Sequence, residues 1–323
     1  MIKVLYAGSP DASAKTLSLL IENTSGADYS ICGVLTNPPS AQGRHGTLIP
    51  TPVEAVAREH NIPVFTPEHL DSTVRDAVAA CGADVLVCFA YGHIFGPKFM
   101  SLFKYGGMNL HPSALPKYRG CTPVNAAILN RDEKTAFTVQ TLSLKMDEGD
   151  ILAQKEVSLN GTETTGYLLN QAAVDGAELI AGILKTLSEK GCLPEIRSQV
   201  GEASYTGIIT KQDALIDWNK SSLEIDAMVR AYNPDPCAWT REGENSLKIM
   251  EGNALSEEEG ASLGADVSSS CGTVCLFNKA KGILVRCGKG FYAVRMLQRQ
   301  GKKTMDYKSF MNGVRDFIGS KLQ

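Results

Sequence analysis

Short, nearly continuous apolar runs alternate with helix-period segments along the first half of the chain. Ile2 to Tyr6 (IKVLY) runs into the turn residues Ala7-Gly8-Ser9-Pro10, the pattern of a buried parallel strand. Asp11 or Ser13 is placed to cap the helix that follows through Leu17, Leu20 and Ile21. Tyr29 to Thr36 gives a second strand, residues 37–50 a loop with three prolines, and Pro52 suits the first position of another helix. A short strand at Ile62 to Phe65, a helix from Leu70 to Ala80 and the unbroken apolar strand Ala83 to Ala90 complete the alternation. This order predicts a doubly wound, mainly parallel α/β sheet.

The apolar run that ends at Leu110 opens into Gly107 to Gly120, GMNLHPSALPKYRG. Pro112 and Pro116 forbid a helix and make a poor central strand, so a strand end entering a rigid loop is expected. Asn109 and His111 are two residues apart and share a face of that strand. Beyond the loop, Pro123 to Leu129 reads as a short helix, and Phe137 to Leu144 and Ile151 to Val157 as strands paired around Met146-Asp147-Glu148-Gly149-Asp150. Ile180, Ile183, Leu184 and Leu187 mark a long helix that Gly191 stops. The period is lost between Pro194 and Tyr205, which divides the chain into a domain at 1–195, a linker at 196–207 and a domain at 208–323. That last stretch holds one amphipathic helix, Ser222 to Tyr232, and then several short strands, as in a small β-barrel of the oligonucleotide-binding (OB-like) type.

Composition narrows the picture. At 323 residues, 43% hydrophobic and 21% charged, the chain can bury two cores. No apolar run is long enough to span a membrane and the N-terminus lacks a signal-peptide pattern, so a cytoplasmic protein with no membrane partner is expected; a monomer is expected too, although nothing in the sequence fixes the oligomeric state. The nine cysteines are scattered without a CxxC pair, and the five histidines lack metal-ligand spacing; free thiols and no metal are expected. The first βα turn lacks GxGxxG, which argues against a dinucleotide. The net charge of −3 conceals a basic C-terminal segment that includes Lys279, Lys281, Arg286, Lys302 and Lys303, opposed only by Asp306 and Asp316. A polyanionic partner or a merely solvated positive face would each account for it.

Asn109, His111 and Asp147 are the polar groups expected to share one pocket. An imidazole exchanges a proton near neutral pH, a carboxylate orients it, and an amide donates to an oxygen that gains charge. No serine elbow or activated cysteine accompanies them, so direct acyl transfer between two bound substrates fits better than an acyl-enzyme. Ordinary turn and capping residues are the alternative.

The segment NLHPSALPKYRG followed by MDEGDIL resembles the folate-dependent formyltransferases, whose hallmark is an asparagine, a histidine two residues on, and an aspartate in a D-x-G-D turn. YAGSP, GRHGTLIPTPV, FAYGHIF, ITKQDALIDWNKS, VRAYNPDPCAWT and LQRQGKKTM extend the likeness over almost the full length, in the order of the members that formylate charged initiator tRNA. The resemblance implies a Rossmann-like formyltransferase domain, 10-formyltetrahydrofolate as cosubstrate and the methionyl amine of charged initiator tRNA as acceptor. It implies that Asn109 and His111 polarise the formyl oxygen and that Asp147 keeps His111 correctly protonated. It also implies folate contacts from Ser113, Ala114, Leu115 and Pro116 and from Phe89, Ala90, Tyr91 and Gly92. The loop around Arg44 would reach the tRNA acceptor end, and the basic barrel would grip the backbone. Ala114 departs from a usual leucine, Ala136 from a common glycine, and TNPPSAQGRHG lacks an acidic and a basic residue usual in that loop. An amino-sugar nucleotide formyltransferase and a non-catalytic tRNA-binding relative are the competing readings.

Overall fold

The computed structural model describes residues 1–23, 28–42 and 46–323. They form two compact units. One comprises Met1–Pro123, Lys134–Ser158 and Leu169–Thr206; the other comprises Val124–Glu133, Leu159–Leu168 and Gly207–Gln323.

The first unit is built on a sheet whose strands run, in spatial order, Ile151–Ser158, Lys134–Thr141, Gly107–His111, Val85–Phe89, Ile2–Gly8, Tyr29–Leu35 and Val64–Phe65. The strands from Gly107–His111 to Val64–Phe65 are parallel, and the other two join antiparallel. Ile2–Gly8 and Val85–Phe89 are apolar almost throughout because both faces of a parallel sheet are covered. Chain order reverses between these two strands, whose ends meet at the pair Gly8 and Phe89. In such sheets the crevice beyond the strand ends at this reversal is where ligands lie. The first helix, Asp11–Glu22, has Pro10 at its cap and no side-chain cap. Ser13 instead turns inward, where the buried Tyr6 hydroxyl lies 2.9 Å from its Oγ and donates to its carbonyl at 2.8 Å. Pro52–Glu59 starts as expected, with Thr51 Oγ1 accepting from the Glu54 amide at 3.1 Å.

The long helix begins far earlier than its apolar period announced, spanning Thr165–Lys190. Gly166, Asn170, Asp175 and Gly176 interrupt the stripe in its first half. Gly176 faces the catalytic strand candidate: a Cβ there would stand 2.2 Å from Leu110 Cδ2. Alanine gains about 1 kcal/mol over glycine in a helix interior, whereas overpacking a filled core costs about 1–3 kcal/mol. Gly176→Ala should therefore lower the melting temperature, and adding Leu110→Val should recover part of the loss. A Gly176→Ala protein more stable than the parent would contradict this packing.

Residues 196–206, assigned to a linker by their sequence, pair within the first unit. Ile151 and Arg197 exchange both backbone hydrogen bonds, and Tyr205–Thr206 runs parallel to Arg119–Gly120. Residues 40–49, expected as loop, contain the antiparallel strands Ser40–Gln42 and Thr47–Ile49.

The second unit carries an antiparallel sheet in the order Trp239–Glu242, Asn245–Leu255, Phe291–Arg299, Gly282–Arg286 and Val274–Asn278. Asn245–Leu255 is longer than its apolar pattern suggests. Register shifts on either side of Glu251 bend it, which curls the sheet into the barrel-like form expected. Ser222–Ala231, started by a Ser221/Glu224 capping box, buries Ile225 and Val229 with Leu247, Ile249, Ile283 and Val294. Trp218 and Trp239 belong to this core: their indole N–H groups donate to Thr240 Oγ1 at 2.9 Å and to the Lys211 carbonyl at 2.7 Å. The capping box at Ser256 and Glu259 opens a further short helix, Glu257–Ser262. Among the described residues no helix is long and apolar enough to cross a membrane.

Candidate active site

Asn109 and His111 lie on one strand, Gly107–His111, and Asp147 on the turn that joins Lys134–Thr141 to Ile151–Ser158. The fold brings all three together. Asp147 Oδ1 is 3.5 Å from both Asn109 Nδ2 and His111 Nδ1. Two shorter bonds fix the carboxylate itself: Gln140 Nε2 donates to Oδ1 and the Gly120 amide to Oδ2, each at 2.8 Å. Asp147 holds φ near +55°, a left-handed conformation that aspartate tolerates better than most side chains. Two residues on, a Cβ at Gly149 would stand 1.7 Å from the Thr141 carbonyl oxygen, so the turn closes only around glycine there.

His111 is 4% exposed. Its Nε2 lies 2.9 Å from the Tyr118 carbonyl, and since a carbonyl only accepts, Nε2 carries the proton. The lone pair of the neutral ring is then on Nδ1, towards Asp147. Burial pushes the imidazole below its ordinary value, and the Asp147 carboxylate and Tyr118 carbonyl oppose that shift without cancelling it. The two facing atoms, Nδ1 and Oδ1, are both acceptors until a proton arrives between them. A histidine depressed on folding binds its proton more readily in the unfolded chain. Its stabilising contribution is complete above about pH 6.5 and is lost as pH falls through the folded value. The melting temperature should thus drop more steeply between about pH 7 and about pH 5.5 for the parent than for His111→Asn. Equal slopes would contradict a neutral buried ring.

The remaining expected positions divide into three groups. Ser113, Leu115 and Pro116 are buried: the Ser113 hydroxyl donates to the Lys117 carbonyl at 2.6 Å and its own carbonyl accepts from Thr138 Oγ1 at 2.6 Å, so that this loop is pinned from beneath. Ala114 is half-buried. Phe89 and Tyr91 are buried while Ala90 and Gly92, both at positive φ, are exposed at the strand end by the sheet's reversal. Tyr91 stacks on Phe95 at 5.6 Å and Phe95 on Phe99 at 5.3 Å, which stiffens this wall. Asn37 ties the turn down, donating to the Tyr91 carbonyl at 3.2 Å and accepting from His93 Nε2 at 3.0 Å. Lys279, Lys281, Lys302 and Lys303 are exposed on the second unit. Arg286 is engaged, donating to Glu257 at 2.7 Å and to the Gly290 carbonyl at 2.9 Å. Arg44 lies outside the described residues.

Gln140 was not singled out by sequence. A glutamine 2% exposed in the strand run TVQT signals a buried amide in need of partners. It sits opposite Asn109 in register and within reach of Asp147. Among the described residues no group of three or more His, Cys, Asp or Glu could hold a metal ion. Cys88, paired in register with Asn109, is buried and its thiol pushed up to about 12, so it supplies no ready thiolate.

The end of a mainly parallel sheet thus brings together an amide, a buried imidazole and a hydrogen-bonded carboxylate. Residues 2–183 match the formyl transferase family and residues 208–315 its C-terminal domain. The chain belongs to the formyl transferase family. It is 39% identical over 326 residues to the methionyl-tRNA formyltransferase of Treponema denticola, covering 98% of each chain. The methionyl-tRNA formyltransferase of Borrelia hermsii is 33% identical, over 95% of this chain and 97% of its own. Among solved structures, HypX from Aquifex aeolicus superposes with a TM-score of 0.64 at 16% identity; the match covers 96% of this chain and 48% of that one. The sugar 3N-formyl transferase WlaRD gives 0.60 at 18% identity, covering 94% and 99%. Methionyl-tRNA formyltransferase from Clostridium thermocellum gives 0.57 at 16%, covering 78% and 93%. These structures share the fold.

Proposed function

We propose that the chain transfers the formyl group of 10-formyltetrahydrofolate to the free amine of methionyl-initiator tRNA. The observation that carries this reading is the placement of Asn109, the Nδ1 edge of His111 and the Asp147 carboxylate around one point, in a chain 39% identical along its length to a methionyl-tRNA formyltransferase. The folate donor would lie in the crevice bordered by Phe89 to Gly92 and the Ser113 to Pro116 loop, with Ala114 and the exposed turn Ala90 to Gly92 as its contact edge.

The deprotonated methionyl amine attacks the formyl carbon, and the carbonyl oxygen becomes an oxyanion in a tetrahedral intermediate. Asn109 Nδ2 donates to that oxygen. His111 takes a proton from the attacking nitrogen at Nδ1, where the Asp147 carboxylate stabilises the imidazolium, and returns it to N10 of the folate as the C–N bond breaks. The products are N-formylmethionyl-tRNA and tetrahydrofolate. The buried thiol of Cys88 leaves no activated nucleophile beside Asn109, which supports direct transfer.

The exposed Lys279, Lys281, Lys302 and Lys303 support tRNA as the polyanion. Raising salt from about 50 to about 200 mM should weaken tRNA binding steeply while folate affinity stays nearly constant. The acceptor is tested by offering 10-formyltetrahydrofolate with either charged initiator tRNA or an amino-sugar nucleotide. Formylation of the methionyl amine is expected; formylation of the sugar alone, or of neither, would overturn the proposal.

A further inference from the structure

The Asp147 turn is held from outside by a residue that the sequence placed in a linker. Gln199 Nε2 lies 2.8 Å from the Asp147 carbonyl and 2.6 Å from the Gly149 carbonyl, with Gln140 Oε1 at 3.3 Å. Its two amide hydrogens thus meet the two carbonyls that flank Glu148. The amide has only one orientation open to it. Gln199 Oε1 receives Arg119 through Nε at 3.1 Å and Nη2 at 2.8 Å, and since a guanidinium only donates, the oxygen must face Arg119 and the NH₂ the turn. Arg119 is positioned in turn. Its Nη1 donates to the Tyr205 hydroxyl at 2.8 Å and lies 3.3 Å from Glu148 Oε1, to which Tyr205 donates at 3.0 Å. The circuit therefore starts and ends on the turn that carries Asp147.

We propose that Gln199 is a positioning residue for formyl transfer: its amide holds the Asp147 turn in the backbone conformation that aims the carboxylate at His111 Nδ1, with Arg119 fixing the direction of that amide. The proposal rests on the reading of Asp147 and His111 as the proton-handling pair. Asp147 sits at positive φ, a conformation costly to most residues, and nothing in its own side-chain bonds constrains its carbonyl. Without the Gln199 donors the turn loses the hydrogen bonds at the two carbonyls that flank Glu148. The carboxylate, 3.5 Å from Nδ1 and held only through its own oxygens by Gln140 Nε2 and the Gly120 amide, then shifts with the backbone that carries it. A displacement of about 1 Å at a reacting group costs on the order of a hundredfold in rate. The short pairing of Tyr205–Thr206 with Arg119–Gly120 has a matching purpose, because the Gly120 amide donates to Asp147 Oδ2.

The test uses Gln199→Glu, which keeps size and the acceptor for Arg119 but turns an oxygen on the two carbonyls, and Gln199→Ala as a second variant. With the full-length protein and whichever amine the parent formylates, kcat should fall about tenfold to a hundredfold while KM for the folate donor stays within about twofold. Placed on Asp147→Asn, Gln199→Glu should add no further loss, since both act through one carboxylate. In substrate-free protein, the His111 ring titration followed by NMR should move to lower pH in Gln199→Ala, which adds no charge of its own, as the carboxylate withdraws. This last readout needs no acceptor, so it decides the role of Gln199 even if the acceptor proposal fails. An unchanged His111 titration, a kcat within about twofold of the parent, or a full further loss on the Asp147→Asn background would overturn the proposal.

Discussion

Asp147→Asn should lower the rate of formyl transfer about a thousandfold and leave binding of 10-formyltetrahydrofolate unchanged. The carboxylate accepts from Gln140 Nε2 and from the Gly120 amide, one bond at each oxygen. An amide in its place must turn its NH₂ on one of those donors, so one contact is lost in either orientation. The larger effect is the charge. An imidazolium formed at Nδ1 would face a carboxylate oxygen 3.5 Å away, an attraction of about 4 kcal/mol at an effective dielectric constant of ~20. Losing 4 kcal/mol from the transition state corresponds to about a thousandfold in rate. The proposed folate contact edge at Phe89 to Gly92 is held by Asn37 and the Tyr91–Phe95 stack, contacts made independently of the Asp147 carboxylate. Single-turnover kinetics and a donor titration check both halves. Near-parent turnover would remove Asp147 from the mechanism, and lost donor binding would make its role structural.

His111→Asn should cost about a hundredfold to ten-thousandfold in kcat. Among the described residues, the imidazole is the group beside Asp147 Oδ1 able both to accept and to return a proton; Asn109 and Gln140 donate there through their amides. Asparagine at 111 can satisfy the Tyr118 carbonyl yet offers no exchangeable lone pair at Nδ1. Asn and His are close enough in volume for the strand to persist. Because the two groups act as a unit, His111→Asn combined with Asp147→Asn should be scarcely slower than the worse single variant. Losses that multiply would mean that Asp147 and His111 serve separate steps.

The parallel sheet was legible because buried strands such as Val85–Phe89 must be apolar throughout, and the helices between them announce themselves by capping and period. Asn109 and His111 were legible as a pair because the two-residue strand repeat puts them on one face. Asp147 was less so: it stands 36 positions beyond His111 on a turn between two other strands, and its expected place beside them became firm only through the family resemblance. Gln199 was hidden more deeply. Its stretch has no apolar period, since its residues are held by backbone pairing and by Arg119 rather than by burying a stripe. The paired strands Ser40–Gln42 and Thr47–Ile49 were missed for a similar reason, Leu48 and Ile49 being exposed. Arg286 shows the converse limit, as a basic count cannot tell a guanidinium already bound to Glu257 from the open Lys302 and Lys303.

At the Asn109–His111–Asp147 site we propose direct transfer, with no acyl-enzyme between donor and amine. Its sharpest test is a single turnover with isotopically labelled 10-formyltetrahydrofolate and charged initiator tRNA, quenched over time and counted in both protein and tRNA. Label should pass to the methionyl amine with no protein-bound label at any time point. Label that accumulates on the protein before reaching the amine, or that never reaches it, would contradict the account.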